Sequence, residues 1–140
     1  MTTAPNFDDL SVGDEIPELQ LPAINQEQLN RFAQASGDDN PIHLDEAQAK
    51  QSGLPGIIAH GMLNMASLGQ LLTQWVSQDD IRQFNARFVA MAFPGDVITC
   101  KGRITELDNA DGQQLVQLEL AAENQNGANI LTGSAEIALP

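Results

Sequence analysis

Between Gln51 and Ser77 the chain carries no Asp, Glu, Lys or Arg. Within that stretch, roughly residues 61–76 form a helix pattern with Met62, Leu63, Met65, Ala66, Leu68, Leu71, Leu72, Trp75 and Val76 on nearly every face. Its polar members, Asn64, Ser67, Gln70, Thr73 and Gln74, are uncharged. A helix that is apolar all round is buried in a core or crosses a membrane. Crossing takes about 20 predominantly apolar residues, and this run is too broken for that. The pattern therefore predicts a central buried helix, with the Met62 and Met65 stripe as core.

What surrounds that helix reads as antiparallel sheet. Residues 84–93 are strand-like and end at Pro94-Gly95-Asp96. Ile98, Cys100, Gly102 and Ile104 then alternate with Thr99, Lys101, Arg103 and Thr105, the period of a half-buried strand. Asn109-Ala110-Asp111-Gly112 predicts a hairpin turn, after which Val116, Leu118, Leu120 and Ala122 alternate with polar and small residues. Asn126-Gly127 marks the next turn, and Leu131, Gly133, Ala135, Ile137 and Leu139 line a last strand. Ahead of the central helix, one short edge strand is expected before Leu21. A helix capped by Asn25 follows, with Gln28 at the reciprocal position, and it ends at Gly37. Asp45 predicts the cap of a short helix over residues 46–51, closed by Gly53. The fold class is α+β, a sheet wrapped around a buried helix, in one domain over residues 1–140.

Chemistry concentrates in Ser36-Gly37-Asp38-Asp39-Asn40-Pro41-Ile42-His43. Pro41 removes a backbone donor and pushes Asn40 out of the α region, so the segment must bend. Asp, Asn, Gly and Pro are what surface turns are made of. A carboxylate and an imidazole on one bend are also the equipment of general acid–base chemistry, because they can share a water. The chain's second histidine, His60, lies in Ala59-His60-Gly61-Met62 at the entry to the apolar helix.

The segment Phe32-Ala33 through His43, followed by Pro55-Gly56-Ile57-Ile58-Ala59-His60-Gly61-Met62, resembles the signature of the MaoC-like (R)-specific enoyl-CoA hydratases and acyl dehydratases. Leu10-Ser11-Val12-Gly13-Asp14 and Phe93-Pro94-Gly95-Asp96 extend the resemblance over most of the chain, in the family's order. It implies the hotdog fold and a hydro-lyase that adds water to a trans-2-enoyl thioester, or removes it from a 3-hydroxyacyl thioester. It further implies Asp38 and His43 as the catalytic pair, Asn40 as a water-positioning residue, and the Gly61 backbone N–H as an oxyanion donor. An acyl-CoA or acyl-carrier thioester is the implied substrate. Which of Asp38 and His43 acts as base stays open, since an ordinary Asp titrates near 4 and an ordinary His near 6.5. His60 falls outside the expected catalytic set as a packed or capping residue. Arg87-Phe88 fits the family's usual sequence and marks Arg87 as a candidate substrate contact beside Lys50, Lys101 and Arg103. Met91 departs from the family, where many relatives have proline.

Composition excludes several classes. Six Lys+Arg against nineteen Asp+Glu give a net charge of −13, which opposes nucleic acid and anionic membranes. Two histidines and one cysteine do not make a zinc set, and the expected reaction needs neither metal nor other cofactor. The lone Cys100 sits in a strand pattern, as a buried inert thiol would. Residues 1–6 carry neither a basic region nor an apolar core, so a cytoplasmic protein is expected. A homodimer or higher homo-oligomer is expected because a lone hotdog subunit exposes a sheet edge. Two rivals share the fold. A thioesterase would want an acid on the central helix, which has none, and a silent acyl-CoA-binding module would need none of Asp38, Asn40 and His43.

Overall fold

The computed structural model describes residues 4–140. After a 3-10 turn at Phe7–Asp9 come β1 (Leu19–Gln20), α1 (Gln26–Ser36), a 3-10 turn at Pro41–His43, α2 (Glu46–Gln51) and α3 (Gly61–Trp75). A third 3-10 turn, Gln78–Asp80, leads into β2 (Ile81–Phe88), β3 (Thr99–Asp108), β4 (Gln114–Glu123) and β5 (Asn129–Leu139). The five strands form one antiparallel sheet in the order β1-β3-β4-β5-β2. This sheet curls around α3 as the hotdog fold.

The helix ends follow local chemistry. Asn25 Oδ1 accepts the Gln28 N–H and opens α1, while Gly37, at φ 81°, closes it in the left-handed region that glycine enters without strain. Asp45 Oδ1 accepts the Gln48 N–H and opens α2. Asp111 and Gly112 both have positive φ at the tip of the β3–β4 hairpin, as a tight turn matched to strand twist requires.

The core lies between α3 and the sheet. Leu68, Leu71, Leu72 and Trp75 meet Ile104, Val116, Leu118, Leu120, Leu131 and Ile137 there. Two expectations change. The helix is buried on that face alone, and Met62, expected in the core, is 57% exposed, with Met65 only partly buried. One sheet of five strands covers one side of a helix and leaves the other to solvent. The strand expected over residues 84–93 instead runs from Ile81 to Phe88. Beyond it, the N–H groups of Val89 and Ala90 converge on the Ile130 carbonyl and the Ala92 carbonyl accepts from Ala59. The segment thus leaves the sheet to brace the approach to α3.

Candidate active site

Three backbone segments meet at the N-terminus of α3. Ile58 N–H donates to the Ile42 carbonyl at 3.2 Å and Ala59 N–H to the Ala92 carbonyl at 2.8 Å. The loop carrying Asp38 and Asn40 is tied to α1 by Ser36 Oγ, which accepts the Asp38 N–H. Asn40, on an exposed turn, caps the 3-10 turn by accepting the Ile42 N–H on Oδ1. These bonds bring together two segments, one with Asp38 and His43 and the other with His60 and Gly61.

His43 is buried, and its Nδ1 lies 2.8 Å from the Ile58 carbonyl. A carbonyl only accepts, so Nδ1 carries the proton and the neutral ring keeps its lone pair on Nε2. That Nε2 faces Asp38 Oδ2 at 3.8 Å, with the Asp38 side chain about half exposed. The distance is too long for a direct hydrogen bond, and both atoms are acceptors when the ring is neutral. One water can donate an O–H to each.

His60 lies behind this pair. Its ring stacks on His43 with centroids 3.9 Å apart and planes at 25°, and Phe32 of α1 closes the other side at 4.8 Å. Its Nε2 is 3.1 Å from the Asp38 carbonyl, so here Nε2 bears the proton. Burial is the main cause that holds His60 below its ordinary titration range, and the bond to Asp38 opposes it. The sequence left His60 outside the catalytic set as a packed or capping residue, and it is packed. Its spacing from Gly61 was visible, but the stack is made by the fold.

α3 starts at Gly61 with no side chain capping it, and the N–H groups of a helix's first turn have no intrahelical partners. A Cβ on Gly61 would lie 2.9 Å from the ring of Phe88 on β2. A larger residue there would push on the Phe88 ring, a partner that the sequence did not reveal. Arg87 precedes Phe88 on the strand and is exposed. Among the described residues, Lys50 pairs with Glu46, Lys101 with Glu18 and Glu123, and Arg103 with Glu119. Arg87 belongs to none of the ion pairs.

Asp38, His43 and His60 offer donor atoms within 4.8 Å of one another, the spacing of a metal cluster. Ring geometry argues against that use. Stacked imidazoles direct their lone pairs side by side, and a zinc ion needs them to converge at about 2.0–2.1 Å.

A buried helix wrapped by a sheet, with a carboxylate and an imidazole facing each other beside the helix N-terminus, defines a hotdog protein of the dehydratase type. The family model described as the MaoC like domain matches residues 11–126, and the chain belongs to that family. Its fold superposes on the R-hydratase PhaJ1 of Pseudomonas aeruginosa with a TM-score of 0.81 at 29% identity, covering 96% of this chain and 84% of that one. An (R)-hydratase from A. caviae involved in PHA biosynthesis gives 0.80 at 28% identity, covering 94% and 98%. In sequence the chain is 31% identical over 134 residues to the fatty acid synthase subunit beta of Saccharomyces cerevisiae, covering 94% of this chain. It spans only 6% of that subunit's length. Among the described residues no helix is long and apolar enough to cross a membrane.

Proposed function

We propose that the protein is a hydro-lyase that adds water to trans-2-enoyl-CoA, or a related enoyl thioester, to give the (R)-3-hydroxyacyl thioester, or runs the reverse dehydration. The observation that carries this reading is the pair of acceptors, His43 Nε2 and Asp38 Oδ2, 3.8 Å apart beside the start of α3. A water donating to both is held with its oxygen lone pair free to attack C3 of the enoyl group. Its oxygen bonds C3, the C2–C3 π electrons move toward the thioester carbonyl, and one water proton passes to the pair. The enolate oxygen accepts from the Gly61 N–H, where the helix dipole favours negative charge. C2 then takes a proton from the pair, which closes the balance. Asn40 positions the water through its amide nitrogen, its oxygen being held by Ile42.

Of the four cations weighed from the sequence, Arg87 is the candidate anchor, because Lys50, Lys101 and Arg103 each lie beside a carboxylate. A CoA or carrier phosphate is the group an exposed guanidinium would meet. The working unit in this reading is a homodimer in the cytoplasm. The outer edge of β2 has no strand paired to it among the described residues. Phe88, Val89 and Met91 are about half exposed on and just beyond that strand. The test is product analysis after incubation with trans-2-enoyl-CoA thioesters of several lengths. The expected product is (R)-3-hydroxyacyl-CoA; release of free CoA thiol instead would make the protein a thioesterase, and binding without conversion a silent module.

A further inference from the structure

Three polar side chains are buried among the described residues, His43, His60 and Asn64, and two of them stack on each other. Each imidazole is bound to a different backbone carbonyl through a different nitrogen: His43 Nδ1 to Ile58 and His60 Nε2 to Asp38. The two rings therefore hold opposite neutral tautomers. His60 Nδ1, left as the acceptor, is the one buried side-chain nitrogen or oxygen without a hydrogen-bond partner among the described residues. A ring needed only to pack between Phe32 and His43 would do better as phenylalanine, which leaves no acceptor stranded. What the imidazole adds is the bond to Asp38.

We infer that His60 is a positioning residue of the site: its Nε2–H fixes the backbone that presents the Asp38 carboxylate. His60 itself touches neither substrate nor water. Asp38 sits on an exposed loop between the end of α1 and a 3-10 turn. Its other bonds, from its N–H to Ser36 Oγ and from the Asn40 N–H to its carboxylate, are local to that loop and the end of α1, and His60 ties it to the entry of α3. His43, buried and bound to Ile58, is already constrained. The inference rests on the hydratase reading for its kinetic consequence, and the tautomer assignment stands independently of it.

The chain has two histidines, so long-range ¹H–¹⁵N spectra of the free protein contain two imidazole systems. The expected result near neutral pH is Nδ1–H for His43 and Nε2–H for His60. A His60 ring protonated on Nδ1 would overturn the inference even if no hydratase activity were found. In kinetics, His60→Phe keeps the ring and removes the donor, and kcat is expected to fall about tenfold with KM little changed, as loss of aim without loss of binding predicts. His60→Gln restores an N–H at about the position of Nε2 and is expected to recover most of kcat. A His60→Phe enzyme with wild-type kcat, or a His60→Gln enzyme as slow as His60→Phe, would contradict the assignment. Absence of activity in the wild type would count against the hydratase reading, and the spectra would still decide the tautomer.

Discussion

At His43 the Ile58 carbonyl decides which nitrogen is basic, and at His60 the Asp38 carbonyl makes the opposite choice. Identical side chains in contact thereby acquire different chemistry from backbone alone. Burial keeps His60 below its ordinary value of 6.5. The sign follows from proton binding: below that value the unfolded chain protonates His60 while the native state resists, so stability from this group is full above about pH 6.5 and is lost as pH falls. Acid-side denaturation midpoints are therefore expected to fall less steeply with pH in His60→Phe than in the wild type; equal slopes would remove His60 as the source. Cys100, buried on β3, has its thiol pushed up to about 11 by burial. Thiol reagents are expected to label it slowly in the native protein and fast in denaturant, and rapid native labelling would contradict its burial. The motif residues Asp38, Asn40 and His43 were legible in the sequence because their spacing survives in a short bend. His60's partnership was not, because Asp38 reaches it only through the chain reversal after α2.

Among the elements, α1 and α2 were readable to within a residue because caps are local. Asn25, Gly37 and Asp45 act on backbone groups of their own turn. The end of β2 was not readable, since the Ile130 carbonyl that takes both Val89 and Ala90 N–H groups belongs to β5. α3 shows the same limit. Its apolar residues announced burial, but which face was covered depended on a sheet that reaches only one side. The start of α3 gives a prediction at this scale. Gly61→Ala would gain helix propensity and collide with the Phe88 ring, which is 54% exposed and can turn away. The substitution is expected to cost about 1 kcal/mol in the wild type and to become neutral or stabilising in a Phe88→Ala background, a coupling that denaturant titration of the four proteins would measure. Additive effects would mean that Phe88 does not explain the glycine.

For the whole molecule, charge and apolar surface point in different directions. A net charge of −13 keeps copies apart. The half-exposed Phe88, Val89 and Met91 beside an unpaired strand edge favour their association. Apolar burial is expected to win, giving a dimer by sedimentation at micromolar concentration, with Val89→Asp shifting it to monomer. A wild-type monomer would contradict the expected dimer, and a variant that stays dimeric would place the interface elsewhere. The sheet wrapped around one helix was legible from alternation in the second half and the charge-free stretch before it, whereas exposure of Met62 depends on the molecule as a whole. The central claim of the functional reading is that the Asp38 and His43 acceptors activate water for addition to an enoyl thioester. The most direct measurement is the loss of enone absorbance from a trans-2-enoyl-CoA, run with the wild type and with Asp38→Asn under the same conditions. Turnover by the wild type is expected, with a loss on the order of 10² or more in the variant and an unchanged melting temperature. An Asp38→Asn protein that hydrates at the wild-type rate would contradict it.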